Sequence, residues 1–257
     1  MDYFKKVEDG PLEDLTWNIP ERKQGTVNII GGNSQNFRTP VKTAEFLSGK
    51  YPVENINVIL PDALKEKLPP LPNFVFLPST ESGSFSGEGL EKVLNSADYN
   101  LVIGDISKNS ITAKELQSAL KVTEKMTILT RDSVDIIAEG NPERLLMNEN
   151  IIIFGSLAQL QKVLRAVYYP KMLLLSQSLI QVVEILHKFT LSYPVSLVTL
   201  HNGQVLVAAS GNVVAVPLEK TSYSALSIWN GELAAKIMAM NLYNPNNFIS
   251  SCVASLF

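Results

Sequence analysis

Residues 26–34 read TVNIIGGNS, an apolar run that ends in two glycines and an asparagine. The run at 27–30, which contains three β-branched residues, has the length and composition of a strand buried on both faces of a parallel sheet. Ligands of open parallel sheets bind beyond the carboxyl ends of the strands, and Gly31 and Gly32 would let one approach the backbone closely. The stretch therefore predicts a first parallel strand and, with Asn33, a candidate ligand-binding turn. A turn that only needs positive φ explains the glycines equally well, and the G-x-G-x-x-G spacing of a dinucleotide site is absent.

Further runs of strand length alternate with helical patterns along the chain. The runs lie at 56–60, 74–77, 101–103, 127–129 and 151–154, and the helical patterns at 41–47, 90–94, 112–120, 134–139 and 158–166. Such alternation is typical of βαβ units with right-handed crossovers. We therefore predict an α/β fold around a mostly parallel sheet.

The last third of the chain has a different pattern of apolar residues and turns. Residues 172–189 are densely apolar at helical spacing, which predicts a well-buried helix. Short apolar runs at 195–200, 204–208 and 213–216 are separated by turns containing glycine, which predicts antiparallel hairpins. The parallel sheet should therefore end in an antiparallel edge near the C-terminus.

The remaining segments complete a prediction of one domain over residues 1–257. A final long helix is expected at 225–240, and a short helix follows the break at Pro245. Residues 1–25 are expected to form an irregular leader segment that can include a short helix, and 241–257 a C-terminal extension.

Composition and charge restrict the class of protein. A hydrophobic fraction of 46% over 257 residues suffices for a large core, and a formal net charge of −3 argues against binding nucleic acid through its phosphates. The charged N-terminal residues precede no apolar run, and no apolar run is long enough to span a bilayer. The single Cys252 excludes an internal disulfide, and His187 and His201 lack partners at metal-ligand spacing. We predict a cytoplasmic protein without a metal site or a nucleic-acid or membrane partner.

Two further segments are candidates for a site. Gly104 and Asp105 follow the apolar run at 101–103, where an acidic side chain is often a ligand contact and equally often a turn former or helix cap. Ser224 and Ser227 lie at the predicted start of the last long helix. Free N–H groups and hydroxyls at such a position attract phosphate, although ordinary serine capping explains them too.

The order of these segments resembles that of a known family. The segments are IPERKQGTVNIIGGN at 19–33, ADYNLVIG at 97–104, MTILTRDSV at 126–134, and the hairpins and last helix up to Gly231. Together they are similar to the ADP- or ATP-dependent NAD(P)H-hydrate dehydratases of the ribokinase-like superfamily. The resemblance spans most of residues 19–240. It implies a three-layer α/β/α sandwich, homo-oligomers built through the flanking helices, and a small molecule bound in the cleft at the strand ends.

The departures from this family lie in its functional loops. The family has a Gly-Thr-Gly-Asp loop that cradles nucleotide phosphates, with the Asp as catalytic acid/base. Alignment on Gly231 places Ser224 and Ser227 at the ends of that loop, so Ser227 occupies the catalytic Asp position and Asn230 precedes the glycine. The family's Gly-Pro-Gly-Leu-Gly loop is replaced by GDISK at 104–108, and only Asp132 remains of its Asp-Ala-Asp motif. Its His-Pro-Gly-Glu loop falls near FGSL at 154–157, without the charges.

Three hypotheses follow. The favoured one is a relative without the family's catalysis that binds a small molecule or nucleotide, with ATP or ADP binding weakened by the changed loop. The second keeps a divergent dehydratase or small-molecule kinase activity through a relocated carboxylate, from Asp105, Asp132 or Glu232. The third is a structural role as a subunit of an oligomer. The predicted ligand-binding residues are Gly31, Gly32, Asn33, Gly104, Asp105, Asp132, Ser224, Ser227 and Asn230.

Overall fold

The computed structural model describes residues 2–106 and 109–257, and its centre is a ten-stranded sheet. The strands are β1 (Phe4–Lys6), β2 (Gln24–Gly31), β3 (Val53–Pro61), β4 (Phe74–Leu77), β5 (Tyr99–Gly104), β6 (Met126–Thr130), β7 (Ile151–Phe154), β8 (Ser196–His201), β9 (Gln204–Ala209) and β10 (Asn212–Pro217). Their order in the sheet is β1-β10-β9-β8-β7-β6-β5-β2-β3-β4.

The sheet is parallel except around β9. Every pairing from β4 across to β8 is parallel, and β9 runs antiparallel to both β8 and β10. The α/β class, the mostly parallel sheet and the antiparallel strands near the C-terminus are therefore confirmed. The expectation of an irregular leader is wrong for residues 4–6, because β1 pairs parallel with β10 and forms the edge of the sheet.

Helices cover both faces of the sheet. The helices are α1 (Arg38–Lys50), α2 (Leu90–Asn95), α3 (Ser110–Val122), α4 (Asp132–Ala138), α5 (Glu143–Leu146), α6 (Leu157–Ala166), α7 (Leu179–Ser192), α8 (Glu232–Tyr243) and α9 (Phe248–Ala254). Helices α2 to α7 contribute to one apolar core, and α1, α8 and α9 to the other. Successive strand residues alternate between the two, since Ile29 joins one core and Ile30 the other. The result is a three-layer α/β/α sandwich. Among the described residues, no helix combines the length and apolar character needed to cross a bilayer.

The helix predicted at 172–189 begins later than expected. Helix α7 starts after Ser178, whose hydroxyl accepts from the Gln181 N–H while the Gln181 side chain accepts from the Ser178 N–H. This capping box fixes the start of the helix. In the preceding loop Leu173 is buried, whereas Met172 and Leu175 are exposed. The predicted burial therefore holds for the inner face of α7 and is wrong for most of residues 172–178.

The last long helix also begins later than predicted. Residues Ser227–Trp229 form a 3-10 turn, and α8 starts after Gly231, which has a φ of 101°. A left-handed residue cannot continue a right-handed helix, so the helix at 225–240 is wrong for its first two turns. The short C-terminal helix is confirmed as α9.

Candidate functional site

A cleft of about 350 Å³ opens at the carboxyl edge of the parallel sheet, between the start of α1, the end of β6 and the start of α8. Its lining residues are Arg38, Thr39, Lys42, Thr43, Arg131, Asn230 and Glu232. A neighbouring hollow of about 330 Å³ shares Arg38 and Thr39 and reaches Asp105. The cleft thus lies where parallel sheets place their ligands, and two of the sequence-predicted residues, Asn230 and Asp105, line these hollows.

The glycine turn after β2 packs directly against the end of β5. A Cβ on Gly31 would lie 2.5 Å from the Gly104 carbonyl oxygen, and the Gly32 N–H donates to that oxygen at 3.1 Å. Asn33 donates from Nδ2 to the Asp105 carbonyl at 2.6 Å, and its Oδ1 accepts two N–H groups of its own turn. The amide of Asn33 is therefore engaged in holding two strand ends together. A binding role for Gly31, Gly32 and Asn33 stays a prediction.

Asp105 is held in place by two partners. It adopts a φ of 56°, Oδ1 lies 3.0 Å from Arg131 Nη2, and Oδ2 accepts from Thr39 Oγ1 at 2.6 Å. Both oxygens are thus engaged between the start of α1 and the end of β6. Ser107 and Lys108, which complete the replaced loop, lie outside the described residues.

Asp132 supports the backbone of the segment after β5. Its carboxylate accepts the N–H groups of Asp105 at 2.7 Å and Ile106 at 3.2 Å. Burial raises the pKa of Asp132 above its usual value, and the negative charge of Asp105 acts in the same direction, whereas these backbone hydrogen bonds oppose the shift. Asp132 is therefore better explained as a structural acceptor than as a free base.

The raised pKa predicts an unusual pH dependence for the Asp132→Asn variant. A carboxyl that binds its proton more tightly in the folded chain contributes most stability below its unfolded pKa of about 3.8, and this contribution falls as pH rises through the folded pKa. We expect the wild type to gain stability relative to the variant as pH is lowered from neutral towards 4, measured by urea unfolding. Glu139→Gln, which removes an exposed carboxylate after the same helix, is the control. A wild-type advantage that shrinks on acidification would contradict the assignment.

Arg131 is a cleft residue that the sequence patterns do not single out. Its backbone has φ 59° and ψ −135°, a strained conformation for a residue with a side chain, and its carbonyl accepts from Gln159 Nε2 at 2.7 Å. The Nε atom is buried and has no hydrogen-bond partner among the described residues. Arg38 and Lys42 were also missed, although their spacing of four on one helix places them on one face.

Ser224 and Ser227 bond to each other. The Ser224 N–H donates to Ser227 Oγ at 2.7 Å, the Ser227 N–H donates to Ser224 Oγ at 3.1 Å, and the two hydroxyls lie 3.0 Å apart. Neither serine lines the cleft. Two N–H groups of this segment, those of Ser224 and Ser227, are thus engaged within it, and a binding role for the two serines stays a prediction.

An aromatic contact fixes the position of this segment. The Trp229 ring packs on Phe154 at the end of β7, with ring centroids 5.3 Å apart, and Ile228 is buried beside it. The serine pair is therefore anchored to the sheet by the turn that follows it.

The fold is similar to that of several solved structures. The chain is similar to a hypothetical protein of Streptococcus mutans, with a TM-score of 0.60, 13% identity, and coverage of 97% of this chain and 83% of that one. It is also similar to the ADP/ATP-dependent NAD(P)H-hydrate dehydratase of Bacillus subtilis, crystallised with ATP/Mg²⁺ and soaked with CoA, with a TM-score of 0.56, 10% identity, and coverage of 96% and 82%. The pyridoxal kinase of Staphylococcus aureus, in complex with AMP-PCP and pyridoxal, gives a TM-score of 0.53, 11% identity, and coverage of 92% and 86%.

These similarities define the fold as ribokinase-like, in agreement with the predicted class. The sequence matches no protein-family model and no curated protein.

Proposed function

We propose that this chain is a ribokinase-fold protein that binds a small molecule in the cleft between α1, β6 and α8 without the nucleotide-dependent dehydration of the family it resembles. The observation that carries the proposal is the reciprocal pair of Ser224 and Ser227. In the alignment on Gly231, Ser227 has a hydroxyl where the resembled family has its catalytic Asp, and the pair engages the N–H groups of Ser224 and Ser227. A serine hydroxyl accepts no proton near neutral pH.

The nearby carboxylates support the same proposal. Asp105 is engaged by Arg131 and Thr39, and Asp132 by two backbone N–H groups. Neither is available as the general base without losing a contact that shapes the strand ends. Loss of a positioned general base typically lowers a rate by about 10²–10⁴-fold.

The test is a direct assay of ATP- and ADP-driven dehydration of hydrated NADPH. With the Bacillus subtilis dehydratase as positive control, we expect the turnover of this chain to be lower by at least about 100-fold. A parallel thermal-shift panel should include adenine nucleotides, NADH, NADPH, their hydrates, and small phosphorylated and neutral metabolites. Turnover close to that of the control, lost in a Ser227→Ala variant, would overturn the proposal.

One observation favours the second candidate, a divergent enzyme with a relocated carboxylate. Glu232 is exposed, lines the cleft, and makes no ion pair within the described part of the chain. A base at that position predicts that Glu232→Gln abolishes any turnover while leaving the melting temperature unchanged. A Glu219→Gln variant removes one carboxylate from outside the cleft and serves as the control.

The oligomeric state is a separate prediction. Several apolar side chains near the start of α7 are exposed, among them Met172, Leu175 and Ile180. Contiguous exposed apolar surface is typical of association sites. Light scattering on the purified chain distinguishes a monomer from the homo-oligomer that we propose.

A further inference from the structure

We infer that the cleft is an oxyanion site that takes a small molecule bearing a phosphate group, held by Arg38, Lys42 and Arg131. The inference rests on the proposed function in one respect, namely that a small molecule occupies this cleft. It places the anion on the first turns of α1, away from the serine segment where the resemblance would place nucleotide phosphates.

The charge of the lining supports an anionic ligand. Three cations and one carboxylate, Glu232, line the cleft. Arg38 and Lys42 lie on one face of α1 and form no ion pair or side-chain hydrogen bond within residues 2–106 and 109–257. Arg131 enters from the opposite wall, where Asp105 engages only Nη2. Even when Asp105 is counted with Glu232, the three cationic side chains outnumber the two carboxylates.

Two sets of donors in the residues around the cleft have no hydrogen-bond partner in the described part of the chain. Phe37 stands at the N-cap of α1 and supplies no side-chain acceptor, so the first N–H groups of this 13-residue helix lack a cap. Arg131 carries a buried Nε without a partner among the described residues. The Nε atom itself is inaccessible, but the Arg131 side chain is 33% exposed and Asp105 engages only its Nη2, so a ligand in the cleft can reach the rest of the guanidinium group.

The chemistry of these donors favours a phosphate. The two guanidinium groups offer charge-assisted hydrogen bonds in the planar fork geometry that phosphate oxygens accept. The Lys42 ammonium adds a point charge, and the positive end of the α1 dipole also favours an anion. Thr43 contributes a hydroxyl on the same wall, whereas the Thr39 hydroxyl already donates to Asp105 Oδ2. Asn230 and Glu232 on the α8 side are suited to hydroxyl groups on the uncharged part of the ligand. A phosphorylated polyol fits this set of groups.

The test compares glycerol 3-phosphate with glycerol, and uses inorganic phosphate and pyrophosphate as further probes, by calorimetric titration of the full chain. We expect glycerol 3-phosphate to bind, glycerol not to bind, and the affinity to fall as salt is raised. The Arg38→Gln/Lys42→Gln variant should bind glycerol 3-phosphate at least about tenfold more weakly, since each charge-assisted hydrogen bond contributes about that factor. Both side chains are exposed, so the melting temperature should not change.

The matched control is Lys114→Gln/Lys121→Gln, which removes the same charge from exposed positions on α3. Equal weakening in both double variants would show that net charge alone attracts the ligand, and would overturn the inference. A neutral molecule that binds in the cleft with the same affinity in wild type and Arg38→Gln/Lys42→Gln would overturn the inference and leave the proposed function standing. If none of the phosphate compounds and no member of the thermal-shift panel binds to the chain, the inference and the proposed function are both wrong.

Discussion

Replacing Gly104 by alanine should lower the free energy of unfolding by about 3 kcal/mol, one of the two largest effects expected in this protein. Gly104 has a φ of 89°, and a left-handed conformation costs a residue with a side chain about 1–2 kcal/mol. The new Cβ would also lie 2.0 Å from Asp132 Oδ1, the oxygen that accepts the Asp105 N–H. Displacing that carboxylate leaves a backbone donor unpaired, which costs a further 1–3 kcal/mol, roughly.

Gly203→Ala separates the two causes. Gly203 has a φ of 69°, but a Cβ at this position would meet no atom within 4 Å, so the variant measures the conformational cost alone. Each 1 kcal/mol corresponds to about 2–4 °C in a domain of this size. Thermal unfolding should therefore show Gly104→Ala melting well below Gly203→Ala. Equal melting temperatures would mean that Asp132 moves aside freely and does not fix the strand end.

Phe154→Ala should cost about 3–5 kcal/mol, as truncation of a buried aromatic residue usually does. Phe154 is 1% exposed at the end of β7 and supports the Trp229 ring. Its loss should both destabilise the core and release the turn that anchors Ser224 and Ser227. Urea unfolding measures the destabilisation of the core. Release of the turn should appear as a red shift of Trp229 fluorescence, recorded in a Trp17→Phe background.

Phe154→Leu is the matched variant. It keeps most of the apolar volume and should cost less than half as much, yet it removes the ring contact to Trp229. A fluorescence shift of similar size in both variants, with a much smaller stability loss in Phe154→Leu, would confirm that the ring contact positions the turn. An unchanged Trp229 signal in both would contradict that role.

The sheet could be predicted from the sequence because its central strands are buried on both faces. Runs such as 101–103 and 151–154 are continuously apolar and buried, and they are too short to be read as helices. The start of α7 was missed although Ser178 and Gln181 carry a capping-box pattern, since the apolar density upstream of them also favours burial. The start of α8 depends on the left-handed Gly231, which glycine identity alone does not reveal.

The cleft was harder to predict, because its walls come from distant parts of the chain. Arg38, Arg131 and Glu232 meet only through the strand order, in which β5 lies between β2 and β6. In the sequence, Arg38 and Lys42 have the spacing of an ordinary solvated helix face. Asp105 and Asp132 were recognisable in the sequence as acidic residues that follow strands. Their hydrogen-bond partners indicate a structural role for both side chains. These partners could not be predicted, because they depend on how three separate strand ends pack together.

The pairing of β1 with β10 has a consequence for how the chain folds during synthesis. Residues 4–6 pair with 213–215, so the first strand leaves the ribosome long before its partner exists. At typical elongation rates of about 5–20 residues per second, this interval is roughly 10–40 s. The central parallel strands can assemble meanwhile, and β10 would present an open edge until β1 docks. Closure of that edge therefore cannot precede the synthesis of residues 213–215.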